Sequence, residues 1–79
     1  MTHREAVLLT YLLEHRHKVL RREDILNAVW GNDHFFSSRS MDVFISRLRK
    51  LLKPDPSVKI ESVHNIGYRL LINDNAEDR

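Results

Sequence analysis

Four apolar residues, Met41, Ile45, Leu48 and Leu52, recur at spacings of four, three and four between Arg39 and Lys53. On a helix this spacing gathers them into one stripe that the rest of the chain must cover. Ser40, Val43, Ser46, Arg47 and Lys50 lie off the stripe, and Arg39, Arg47, Arg49, Lys50 and Lys53 set five cations against the single acid Asp42. An apolar back with a basic, small-residue front suits the DNA major groove, where arginine can hydrogen-bond guanine and short side chains let the backbone approach. An ordinary amphipathic surface helix shows the same gross pattern. The elements around this helix therefore decide between the two readings.

Upstream, Thr2 and Glu5 fit a capping box, in which hydroxyl and carboxylate each satisfy an amide of the first helical turn. A first helix with the apolar residues Val7, Leu8, Tyr11 and Leu12, flanked by Leu9 and Leu13, runs to the polar segment 14–18, which reads as a turn or loop. Val19 and Leu20 then pack briefly. A second helix starts near Arg22, carries Ile25, Leu26, Val29 and Trp30 at helical spacing and ends at Gly31. Arg21 stands where a capping Ser or Asp is expected, a deficit worth about 0.5–2 kcal/mol.

The segment 31–38 holds turn formers around two aromatics and reads as a loop tucking Phe35 or Phe36 onto the domain, with Ser37 or Ser38 capping the third helix. Asp42 is expected in or near the first turn of that helix, favoured by the helix dipole. Pro54 and Pro56 end the helix. Beyond them the period changes to two. Residues 58–63 alternate, residues 68–72 look extended, and Asn65 and Gly67 lie between them, a pattern that predicts a hairpin.

Composition narrows the function. Seventy-nine residues with a formal net charge of +2 make one small domain, expected over 1–72 and followed by a disordered acidic tail over 73–79. The absence of cysteine excludes a disulfide framework, a thiolate nucleophile and a zinc-finger pattern. No apolar run approaches a membrane span and no signal-peptide pattern is present, so a cytoplasmic location is expected. The five histidines are scattered, with only His15 and His17 close together, so no metal site and no cofactor are expected. No motif couples a nucleophile to a base, and an enzyme is not expected. Val29, Trp30 and Tyr68 are expected to pack in the interior rather than form a stacking platform.

Three helices followed by a hairpin, mainly α with a C-terminal β-hairpin and a basic third helix, is the order of a winged helix-turn-helix. The segments VLRREDILNAVWG, SSRSMDVFISRLRKLL and IESVHNIGYRL resemble, in order and spacing, the effector domain of OmpR/PhoB-type response regulators over about residues 2–72. The resemblance implies sequence-specific binding of double-stranded DNA by a two-component transcription regulator, with the third helix in the major groove and the wing in the minor groove. It implies base-facing roles for Ser40, Val43 and Arg47, and phosphate contacts from Arg39, Arg49, Lys50, Ser62 and Trp30. His64 takes the place of a wing arginine at the minor groove. The loop Gly31, Asn32, Asp33, His34, Phe35 and Phe36 takes the place of one implicated in engaging RNA polymerase. Head-to-tail pairing on direct repeats, promoted by phosphorylation of a receiver elsewhere, is implied as well.

This sequence departs from the family pattern at several places. Phe44 stands where histidine is common and Ser46 where a basic residue is common, so the base preference should differ. Asn65 replaces the usual glycine, which a turn tolerates because Asn visits left-handed backbone. The receiver domain and the small sheet before the first helix have no counterpart in these residues, which leads to the expectation of a fragment of a longer regulator or a stripped-down form. The competing functional reading is a winged-helix interaction module that docks RNA polymerase or a receiver through Phe35, Phe36 and Phe44.

Overall fold

The computed structural model describes residues 2–31 and 38–73. The first helix, α1, spans His3–Glu14 and opens on the expected capping box: the Thr2 hydroxyl accepts from the Glu5 amide, and the Glu5 carboxylate accepts from the Thr2 amide at 2.8 Å. α2 spans Arg22–Trp30, and its cap residue Arg21 makes no side-chain capping bond, as its residue type predicts. α3 spans Ser38–Leu52, so its cap position falls on residue 37, outside the described residues.

Two strands, β2 at Val58–Val63 and β3 at Gly67–Ile72, form the expected antiparallel hairpin with Val58 opposite Ile72 and Val63 opposite Gly67. The chain turns through His64, Asn65 and Ile66, where the Ile66 amide donates to the Val63 carbonyl at 3.0 Å. Asn65 takes φ 63°, the left-handed conformation expected of it. Across the hairpin Glu61 faces Arg69, whose Nε donates to the carboxylate at 2.7 Å, a cross-strand pair that holds the register.

The sheet contains one strand that the sequence pattern did not suggest. Leu20 and Arg21, expected only to pack briefly, form β1 and pair antiparallel with β3, so the sheet order is β1-β3-β2. Gly67 makes this possible. A Cβ at that position would lie 2.0 Å from the Leu20 carbonyl oxygen, so β1 and β3 approach here at a distance only glycine allows. The turn leading into β1 is tied to the same strand by the His17 amide, which donates to the Leu70 carbonyl at 2.7 Å with His17 at φ 69°. At the other end the Asn73 amide donates to the Ser57 carbonyl at 2.7 Å, so the bonded structure reaches a residue expected in the tail. The rest of that tail lies outside the described residues.

The core sits where all six elements meet. Met41, Ile45 and Leu48 are fully or almost fully buried, with Leu52 partly so, and they pack with Leu8 and Leu12 of α1, Ile25, Val29 and Trp30 of α2, and Leu20, Ile60, Tyr68 and Leu70 of the sheet. The apolar stripe of α3 is thus its inner face. By the 3.6-residue period, the opposite face is turned outward.

Candidate nucleic-acid interface

On that outward face, Ser40, Val43, Arg47 and Lys50 follow one another at spacings of three, four and three, a single row along α3. Val43 is 46 % exposed, an unusual place for a valine, and the Arg47 side chain is 56 % exposed. Arg39 and Lys50 are exposed near the two ends of the row, and Ser40 is half-buried. Nothing acidic shares this row, since Asp42 points along the flank toward α2 and the sheet.

Asp42 departs from its expected role. It is the fifth residue of α3, beyond the first turn, and its carboxylate is committed to tertiary partners. It accepts the buried hydroxyl of Tyr68 in β3 and the guanidinium of Arg22 in α2 at 3.0 Å. Burial opposes its charge, but the hydrogen bonds from Tyr68 and Arg22 and the charges of Arg22 and Arg49 outweigh it and hold the carboxyl below its ordinary range. Burial and the neighbouring Asp42 carboxylate together push the Tyr68 phenol up. The network joins α2, α3 and β3, tying the outward face of α3 to both neighbours.

Arg49 divides its guanidinium between fold and surface. Its Nε and Nη2 donate to the Ile60 carbonyl at 3.2 and 3.0 Å, and Nη2 also reaches the Ser62 hydroxyl at 2.9 Å. These bonds strap the end of α3 to β2. Ser62, expected as a backbone contact, is exposed beside it and already accepts from Arg49. His64 is exposed at the hairpin turn.

Trp30 lies elsewhere than a phosphate-contacting side chain would. It is 4 % exposed, with the Phe44 ring edge-on at 5.5 Å between centroids and the Arg4 guanidinium 5.7 Å above it. A surface contact at this position therefore falls to the backbone. Phe44 is itself half-buried against the core, which removes it as a free docking aromatic. Gly31 closes α2 with φ 62°, while Asn32, Asp33, His34, Phe35 and Phe36 lie outside the described residues.

The sequence reading missed one neighbour of the row. Glu5 of α1, 5 % exposed, places Oε2 3.7 Å from Arg47 Nη1, and the same guanidinium lies 5.4 Å over the Phe44 ring. The capping-box motif identified Glu5 as a helix start, but nothing in that motif connects it to α3. Among the described residues, no group of His, Asp and Glu could hold a metal ion, and no helix is long and apolar enough to cross a membrane.

Three helices, a basic-faced third helix and a strapped β-hairpin define a winged helix-turn-helix. Residues 1–70 match the family described as "Transcriptional regulatory protein, C terminal", and the chain belongs to it, as an OmpR/PhoB-type effector domain rather than an enzyme. It is 42 % identical over 71 residues to the transcriptional regulatory protein RprY of Bacteroides fragilis, covering 90 % of this chain and 30 % of that protein. The chain thus spans about a third of the length of that curated relative. Its fold superposes on the DNA-binding domain of Bacillus subtilis CssR with a TM-score of 0.74 and 37 % identity, covering 90 % of this chain and 77 % of that one. It also superposes on the DNA-binding domain of the response regulator AdeR, solved in complex with an intercistronic region, with a TM-score of 0.74 and 28 % identity over 89 % and 70 % of the two chains.

Proposed function

We propose that this domain reads a specific double-stranded DNA sequence as the effector of a two-component transcription regulator in the cytoplasm. α3 enters the major groove and the turn bearing His64 meets the minor groove. The observation that carries this reading is the outward row of half-buried Ser40 and exposed Val43, Arg47 and Lys50, backed by the buried Met41, Ile45 and Leu48. Arg39, Lys50 and the remaining edge of Arg49 hold phosphates and set register, while Arg47, Val43 and Ser40 discriminate bases. Family membership supports head-to-tail pairing on direct repeats, promoted by phosphorylation of a receiver, and contact of the 31–36 loop with RNA polymerase. The AdeR complex supports DNA as the partner.

Selection of bound sequences from a random duplex pool tests the proposal. It predicts an enriched motif and, if about four phosphates are neutralised, a slope of log K against log salt near −3.6. Arg47→Ala costs about 1–3 kcal/mol on the selected duplex and flattens discrimination, whereas Lys50→Ala weakens all sequences alike. Equal losses for Arg47→Ala on selected and random DNA would remove Arg47 from base reading.

A further inference from the structure

Glu5 lies at the start of α1, outside every position assigned above to DNA, yet it is the buried anion beside the central arginine of the row. Its carboxylate is held at both ends: Oε1 accepts the Thr2 amide at 2.8 Å, and Oε2 faces Arg47 Nη1 at 3.7 Å. The backbone amide of residue 2 fixes the carboxylate in place, whatever side chain that residue carries. Arg47 is therefore restrained from two sides, by this anion and by the Phe44 ring beneath its guanidinium. More than half of the arginine side chain still faces outward.

We propose that Glu5 is a positioning residue for base recognition, which aims Arg47 at a base edge and keeps it from settling on phosphate. Two physical effects act in the same direction. An arginine ordered before the duplex arrives loses less rotamer freedom on binding, which favours the one geometry that matches a bidentate acceptor. A fixed anion behind the guanidinium also offsets part of its charge, which weakens attraction to any phosphate more than hydrogen bonding to the neutral acceptors of guanine. The carboxylate thus trades general affinity for discrimination at the base pair that Arg47 reads. This inference rests on Arg47 reading a base.

The test uses the 79-residue chain and the duplex selected by it from the random pool, with the base pair read by Arg47 then changed. Glu5→Gln keeps a residue that can complete a capping box but removes the charge. The expected result is a loss of roughly three- to tenfold in discrimination between the two duplexes, tighter binding to random DNA, and no effect of Glu5→Gln in an Arg47→Ala background. Thr2→Ala separates this from a merely structural role, since it weakens the cap and lowers thermal stability while leaving the carboxylate and the discrimination in place. If Arg47→Ala flattens discrimination and Glu5→Gln does not, the positioning role is overturned and base reading by Arg47 stands. Tighter binding of Glu5→Gln to the selected duplex, with discrimination intact or increased, also overturns it, because the carboxylate would then be competing with the base. If Arg47→Ala leaves discrimination intact, both the base-reading role and the inference fail.

Discussion

Replacing Gly67 by alanine probes the junction on which the sheet depends. The added Cβ would lie 2.0 Å from the Leu20 carbonyl oxygen and 2.9 Å from the Arg22 nitrogen, both backbone atoms that cannot swing aside. Ordinary contact begins at 3.4 Å, so β1 must retreat from β3 by the difference, about 1.4 Å. A retreat of that size breaks the bond from the Arg22 amide to the Ile66 carbonyl, now 3.0 Å, and disturbs the pairing of Leu20 with Tyr68. Each buried backbone group left unpaired costs about 1–3 kcal/mol, and partial exposure of Leu20 adds to it. The expected loss is about 2–5 kcal/mol, a large share of the stability of a domain this size. Gly31 supplies the control, because among the described residues nothing beyond its chain neighbours lies within 4 Å of its Cβ position, and its φ of 62° resists substitution. Gly31→Ala should cost about 1–3 kcal/mol through backbone strain alone. Urea unfolding followed by circular dichroism measures both. A loss below about 0.5 kcal/mol for Gly67→Ala would refute the close approach of β1 to β3.

Three further outcomes follow from particular contacts. Thr2→Ala removes the hydroxyl that accepts the Glu5 amide and should lower stability by about 0.5–2 kcal/mol in the same urea assay. The Asp42 carboxyl is held below its ordinary value in the folded chain, so its contribution to stability is complete above the unfolded value near 3.8 and is lost as pH falls through the lower folded value. Asp42→Asn should therefore destabilise the domain at neutral pH and flatten its stability curve in acid, as read by thermal melts between pH 2 and 6. Phe44→Ala strips an edge-on ring from Trp30 and should both destabilise the domain by about 2–4 kcal/mol and shift the emission of its single tryptophan toward the red.

Local patterns were the legible part of this fold. The capping box, the stripe of α3, the helical spacing of α2 and the turn at Asn65 each occupy a few adjacent residues, and each appears where its chemistry requires. The parts that could not be read join distant residues. β1 is two residues long, too short for any periodicity to show, and exists because Gly67 lets Leu20 approach. Asp42 looked like a dipole partner because its nearest chain neighbours are all that a sequence displays, whereas Tyr68 and Arg22 claim its carboxylate in space. Arg49 read as a surface cation for the same reason, although two of its nitrogens serve β2. Of the site, the row along α3 was visible from spacing and charge. The anion beside Arg47 was not, because Glu5 already had a sufficient local explanation.

The sheet order β1-β3-β2 also governs when the domain becomes competent during synthesis. The strand that completes the sheet, β3, is the last of the described elements, and its partner β1 precedes α2. Residue 20 must wait for residue 68, a loop closure spanning most of the chain, whose entropy is spent before the pairing is gained. Tyr68 and Leu70, which share the core with the inner face of α3, arrive on the same late strand. A nascent chain carrying a finished α3 but not yet β3 would cover that stripe only with α1 and α2 and leave Asp42 without Tyr68. The outward row of α3 therefore gains its full support only once β3 has been made.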